Sequence, residues 1–263
     1  MRKLCILLST IMFLFVLASC AEVKTYDDLY GEYQTHLTEN IEKYQEQIDY
    51  FNHISTEVIK SVVLVEKNAT SGSSTGSGVI IKSDALYYYV LTNNHVVYIS
   101  SGFAEYTITD YLGNEYSATL VVRDADYDLA VLRFRKRTTV LEYIEFATVN
   151  PFYDAELAVL GYPSFQRNAI TLGNVIDYGI ITIEGTSDNI INVDFEVLVS
   201  DSPVKTGSSG SVVINDLFQL VGIVYAGNFI DNSSVSEYSF AIPVLKVLEF
   251  LAEKEITIGG ETS

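Results

Sequence analysis

His95, Asp128 and Ser209 are the three residues whose types and settings can do chemistry together. The histidine lies in Thr-Asn-Asn-His-Val-Val, residues 92–97. The aspartate lies in Asp-Tyr-Asp-Leu-Ala-Val-Leu, residues 126–132, and the serine in Thr-Gly-Ser-Ser-Gly-Ser-Val-Val, residues 206–213. A serine hydroxyl attacks a carbonyl at neutral pH only when a neighbouring base takes its proton, and imidazole is suited to that task. A carboxylate on the other ring nitrogen then holds the tautomer and offsets the imidazolium charge. The oxyanion that forms needs backbone N–H donors, and a glycine at Gly207 lets the chain present its own N–H and that of Ser209. Acyl transfer is the chemistry this set could perform.

These three residues need elements that bring them to one place. An apolar strand leads into His95 and a β-branched strand leaves Asp128. Short β-branched and aromatic runs follow one another from Val62 to Phe134, and a second set runs from Glu156 to Ile242. Turns are marked by residues 71–78, Ser83-Asp84, Gly102 and Gly113-Asn114. The pattern predicts an all-β fold of two six-stranded antiparallel barrels with the three residues in the cleft between them. Pro243 opens a closing helix to about Lys254. The Ser/Gly run of residues 71–78 has no Gly-Lys-Ser/Thr ending and precedes a strand, so it reads as a flexible hairpin, not a phosphate-binding loop.

With these motifs in place, the chain resembles the trypsin-like serine peptidases, and within them the HtrA (Deg) proteases. The order His, Asp, Ser matches. So do Gly76-Ser77-Gly78 before the histidine, Gly161-Tyr162-Pro163 opening the second barrel, Ser200-Asp201 ahead of the serine, and Phe240-Ala241-Ile242-Pro243 near the end. The resemblance covers about residues 58–255. It implies a catalytic triad of His95, Asp128 and Ser209, with an oxyanion hole at Gly207 and Ser209. Ser208 stands where the family usually has asparagine, and Ser211 where it has a second glycine. Glutamyl endopeptidases and exfoliative toxins share the latter change.

The same resemblance places the specificity pocket at Pro203, Val224, Tyr225 and Ala226. No acid stands at Pro203 and no histidine at Val224, so an uncharged pocket is expected, taking small or medium apolar residues before the scissile bond. Protein or peptide substrates are implied, and neither cofactor nor metal. A catalytically silent domain that binds proteins or peptides in its cleft is the alternative. Typical HtrA proteins carry a PDZ domain, and none is expected after the closing helix.

Composition sets further bounds. The chain has 263 residues, 48% of them hydrophobic, and a formal charge of −18, enough apolar content for a sizeable core and the wrong charge for a nucleic-acid partner. Arg2-Lys3, an apolar run from Leu4 to Ala18, and Leu17-Ala18-Ser19-Cys20 read as a lipoprotein signal over residues 1–19. Cys20 is then the lipidated mature N-terminus, placing the protein on the outer face of a bacterial membrane. The other cysteine, Cys5, lies inside the signal, so no disulfide is available to the mature chain.

Residues 20–57 form an acidic tether with apolar positions in steps of three and four, an amphipathic helix predicted from about Thr25 to Glu57. Its stripe must be covered by the peptidase domain or by other copies. The resemblance raises a trimer built through this segment. His36 and His53, seventeen apart, suit no metal site and read as solvated. The organisation predicted is signal 1–19, tether 20–57, peptidase domain 58–255 and tail 256–263. Within the domain, barrel one covers 58–145, barrel two 146–242 and the closing helix 243–254.

Overall fold

The computed structural model describes residues 26–70, 72–165, 169–183, 192–230 and 233–260. The expected signal and Cys20 lie outside the described residues. Helix α1 spans Tyr26–Thr56, within one residue of the predicted bounds. From residue 30 to 49 it is exposed, whereas Ile54 and Val58 are buried. His53 is exposed, as expected, and its ring lies 4.0 Å from that of Phe218.

The first barrel is built from β1 (Val62–Ala69), β2 (Gly72–Ser83), β3 (Tyr87–Asn93), β4 (Ala104–Thr109), β5 (Glu115–Asp124) and β6 (Leu129–Arg135), with a short helix α2 (Asn94–Val97) after β3. The strands run β1-β4-β5-β6-β3-β2, and pairing of β1 with β2 closes the ring. Val63, Val65, Ile80, Val90, Ile108, Ala130, Leu132 and Phe134 fill it. Each of these side chains larger than alanine contributes roughly 1.5–3 kcal/mol on burial, before chain entropy is counted.

The second barrel follows the same plan. β7 (Glu156–Gly161), β8 (Ala169–Gly179), β9 (Val197–Ser200), β10 (Val212–Ile214), β11 (Leu220–Asn228) and β12 (Tyr238–Pro243) form a closed ring. Register shifts in five of the strand pairs bend the two sheets into barrels. Helix α3 (Val244–Glu253) buries Val244, Val247, Phe250 and Leu251. A two-residue strand, β13 (Gly259–Gly260), adds in parallel to β2, which the sequence did not announce.

Two expectations are corrected. Within the run read as a flexible hairpin, residues 72–78 form the first half of β2, in which Ser73, Ser74 and Thr75 pair with Asn68, Lys67 and Glu66. Low intrinsic strand propensity is overridden because the ladder with β1 satisfies the backbone. In the second set, the apolar and β-branched content of residues 189–199 predicts one strand, but of the described residues 192–199 only those from Val197 onward are strand, where β9 begins. Asn192 instead uses its side-chain amide to bond the backbone N–H and carbonyl of Ile183, in place of a strand ladder.

Candidate active site

The register of β3 and β6 brings His95 to Asp128. These strands pair antiparallel with Asn93 opposite Leu129. The residues just after β3 and just before β6 therefore share one end of the barrel. His95 sits on α2, and Asp128 takes a positive φ of 49° as the chain turns into β6.

Four hydrogen bonds fix the pair. His95 Nδ1 lies 2.7 Å from Asp128 Oδ2, and the His95 backbone N–H donates to Oδ1 at 2.9 Å. The Asp128 carbonyl accepts from Asn94 N–H and from the Asn93 amide, both at 3.0 Å. A carboxylate that accepts at Nδ1 sets the proton on that nitrogen and leaves Nε2 as a base. Asp128 is 5% exposed at its side chain and His95 22%, so the acid is shielded while the imidazole edge is reachable.

Neighbouring residues brace this unit. Arg123 donates to Asn94 Oδ1 at 2.9 Å and lies over the Tyr98 ring. The Tyr127 hydroxyl is within hydrogen-bond distance of Glu249 (2.8 Å) and Glu253 (2.9 Å) on α3, and Lys254 pairs with Asp124 at 2.6 Å. Helix α3 thus clamps the loop that carries Asp128. Burial, then the two glutamates, push the Tyr127 phenol far above its usual range.

Ser209 lies in the turn before β10 and reaches the first barrel through its carbonyl, which accepts Ser77 N–H at 2.7 Å. A Cβ added at Gly76 would press on both the Ser209 carbonyl and the side chain of Val96, the neighbour of His95. The serine turn and the histidine helix therefore meet at Gly76. No hydrogen bond joins Ser209 to His95 among the described residues.

The turn itself is tightly specified. Gly207 has φ +89° and Gly210 φ +84°, conformations that favour glycine. A Cβ at Gly210 would overlap the Ser77 carbonyl oxygen. Gly210 N–H donates to the Val224 carbonyl at 2.8 Å, and Val224 N–H to the Ser211 carbonyl at 2.9 Å, so β11 holds the chain after the serine. Among the described residues, the N–H groups of Gly207 and Ser209 are engaged by no hydrogen bond. Two free donors beside a serine are what a developing oxyanion requires.

Both altered positions have a physical account. Ser208 is buried; its N–H donates to the Lys205 carbonyl at 3.0 Å and its hydroxyl accepts Lys205 N–H at 3.2 Å, closing the turn twice. Ser211 donates to the Ser77 hydroxyl at 3.1 Å, and its side chain occupies the space that a Cβ at Gly161 would need.

Of the four residues expected around the specificity pocket, one borders a cavity beside the serine turn. Pro203 lines a cavity of about 210 Å³ with Val159, Gly161, Ile170, Val204, Ser208 and Val235 among its walls. Val224, Tyr225 and Ala226 are outside that lining. A bulge between Val224 and Ala226 turns Tyr225 inward, where it is 1% exposed and its hydroxyl has no hydrogen-bond partner among the described residues. Burial, then the Asp128 charge, raise its phenol well above the ordinary value. Ser77 and Ser164 are the residues that sequence reasoning passed over. The two glycines flanking Ser77 were the available signal, because they let another backbone approach.

Comparisons with known proteins agree with this geometry. Residues 76–223 match the family described as "Trypsin-like peptidase domain". The chain is 33% identical over 168 residues to the serine protease Do-like HtrB of Bacillus subtilis, covering 64% of this chain and 35% of that protein. It is 32% identical over 183 residues to a probable periplasmic serine protease do/HhoA-like of Haemophilus influenzae, covering 66% and 37%. Among solved structures, a protease from M. tuberculosis in its active form aligns with a TM-score of 0.61 at 25% identity, over 76% of this chain and 83% of that one. The serine endoprotease from Yersinia pestis aligns with a TM-score of 0.60 at 26% identity, over 78% and 66%. The chain spans about a third of the length of the curated relatives it matches.

Proposed function

The chain belongs to the trypsin-like peptidase domain family, and from that premise we propose that it is an HtrA-like serine endopeptidase acting through His95, Asp128 and Ser209. The observation that carries this is the double bond-pair from His95 to Asp128 beside two unengaged N–H groups at Gly207 and Ser209. His95 takes the proton of Ser209 as its oxygen bonds to the substrate carbonyl carbon. The oxyanion is met by the two N–H groups. The C–N bond breaks as His95 returns the proton to the leaving amine, and water then releases the acyl group by the same steps.

The open Ser209–His95 contact is the one observation that favours a silent binding domain. It also fits an apo peptidase, in which that bond tightens when substrate arrives. Hydrolysis of a denatured protein by the wild-type chain, and none by Ser209→Ala, is the result expected of the enzyme. Binding without hydrolysis by both would favour the silent domain.

The finer reading extends the same proposal. Pro203, with Val159, Ile170, Val204 and Val235 in the same cavity lining, supports preference for a small or medium apolar residue before the scissile bond. The leader and Cys20 support export and a lipid anchor on the outer face of the membrane, where misfolded surface proteins would be substrates. The Haemophilus relative's description as periplasmic is in keeping with export.

Helix α1 supports a homo-oligomer, of which the trimer suggested by the family resemblance is one form. Tyr33, Leu37, Ile41, Tyr44 and Ile48 are exposed and follow one another by four, four, three and four residues, a narrow seam rather than the wide face of a helix packed on a domain. Gln34, Asn40, Gln45 and Gln47 flank it, while Glu32, Glu39, Glu42, Glu46 and Asp49 project from the opposite side. A second copy can therefore approach the seam without charge repulsion, despite the acidity of the chain.

A further inference from the structure

Two peptide planes meet at Gly207, and each is held by a serine from a different part of the fold. The Thr206 carbonyl accepts Ser164 N–H at 2.8 Å, with the Ser164 hydroxyl 3.4 Å away. A trans peptide points its C=O and the following N–H to opposite sides, so this bond turns Gly207 N–H away from Ser164. The Gly207 carbonyl accepts the Ser77 hydroxyl at 3.1 Å. By the same geometry Ser208 N–H is sent the other way, and the Lys205 carbonyl takes it at 3.0 Å. One donor is consumed inside the turn and the other, on Gly207, stays free.

The Ser77 proton has one place to go. A hydroxyl offers one donor and two lone pairs. Tyr162 N–H donates to Ser77 Oγ at 2.9 Å and the Ser211 hydroxyl at 3.1 Å, which fills both lone pairs and commits the Ser77 proton to the Gly207 carbonyl. Ser77 is 0% exposed, so bulk water does not compete. Its backbone N–H meanwhile holds the Ser209 carbonyl.

Ser164 adopts φ 50°, ψ 37°, a left-handed conformation that costs a residue bearing a Cβ. Such strain persists where the surroundings over-determine it, and here it places the N–H that holds Thr206. Gly207 needs this outside support. Without a Cβ it has little preference of its own, and a flip of the Thr206–Gly207 peptide would replace a donor by a carbonyl oxygen where negative charge develops.

We propose that Ser77 and Ser164 are positioning residues that pin the two peptides flanking Gly207 so that its N–H faces the oxyanion, with Ser211 acting through Ser77. This rests on the peptidase reading above. It gives Ser211 a purpose in the turn, and it makes the second barrel's oxyanion donor dependent on a side chain of the first.

The test uses the full chain, a fluorogenic peptide with alanine or valine before the cleaved bond, a matching peptide aldehyde, and the product peptide. The aldehyde forms a tetrahedral adduct with an oxyanion, whereas the product peptide binds without one. For Ser77→Ala the expected result is a roughly 10- to 100-fold fall in kcat with KM within about threefold. Aldehyde affinity should fall by the same factor, and product-peptide affinity should hold. Ser211→Ala should lose less, and the double variant should match Ser77→Ala alone, because Ser211 acts through it. Ser164→Gly should retain activity, while Ser164→Val, whose branched side chain opposes the left-handed backbone, should lose kcat.

A folded Ser77→Ala with unchanged kcat overturns the proposal, and so do losses from Ser77 and Ser211 that simply multiply. If Ser77→Ala does not fold, Ser211→Ala and Ser164→Val decide it, and unchanged kcat in both overturns it. A wild-type chain that takes no fluorophosphonate label overturns the peptidase reading itself, which separates the two failures.

Discussion

His95 and Asp128 are bonded through both side chain and backbone: one carboxylate oxygen faces the ring Nδ1 at 2.7 Å and the other accepts the His95 N–H at 2.9 Å. The carboxylate thus orients the imidazole and anchors the helix that carries it. Asp128→Asn replaces one of the two acceptors by an NH2 group, which must face one of those N–H groups. We expect kcat to fall by about four orders of magnitude, with the melting temperature changed by only a few degrees. Peptide hydrolysis and thermal unfolding measure the two effects, and activity within tenfold of wild type would count against the assigned role.

Gly210 tests the packing of the serine turn. Its φ of +84° and the Ser77 carbonyl leave no room for a Cβ. Gly210→Ala should destabilise the protein by several kcal/mol, read from chemical denaturation. Gly31→Ala, in the open on α1, serves as the control and should cost nothing or stabilise slightly.

The ion pair of Asp124 and Lys254 sets a pH dependence. Burial is the largest single influence and raises the Asp124 pKa, but the hydrogen bond and charge of Lys254 together with the backbone N–H groups of Asp126 and Tyr127 outweigh it, and the net shift is downward. A carboxylate with a depressed folded pKa contributes stability above its unfolded value of about 3.9, and loses it as pH falls through the folded value. Lys254→Met should therefore lower the melting temperature at pH 7 and make no difference by about pH 2. An equal deficit at both pH values would place the effect in packing instead.

The seam on α1 predicts the assembly. Ile41→Glu with Ile48→Glu should convert an oligomer to a monomer in sedimentation velocity, leaving the barrels folded by near-ultraviolet circular dichroism. A wild-type chain that sediments as a monomer at high micromolar concentration would argue against the seam.

Much of this was legible in the residues, for identifiable reasons. The barrels could be read because strands such as Leu129–Arg135 concentrate β-branched and aromatic residues between clear turns. His95 and Asp128 were legible because each sits beside a strand end, and β3 pairs with β6. The first half of β2 was not, since Gly72, Ser73, Ser74 and Gly76 have little strand propensity and are held by their partner strand. Ser77 and Ser164 stayed hidden for a related reason: their roles depend on contacts 130 and 42 residues away in the chain. The cavity beside Pro203 could not be foreseen either, because its walls come from β7, β8 and the loops around Pro203 and Val235, which are far apart in the chain.

Reaction of the intact wild-type chain with a fluorophosphonate probe measures the activated serine itself. Mass spectrometry should find a single adduct, on Ser209, abolished in Ser209→Ala and His95→Ala and retained in Ser233→Ala. Absence of any adduct on Ser209 in the folded protein, with a denatured protein substrate present to order the site, would contradict the proposed triad.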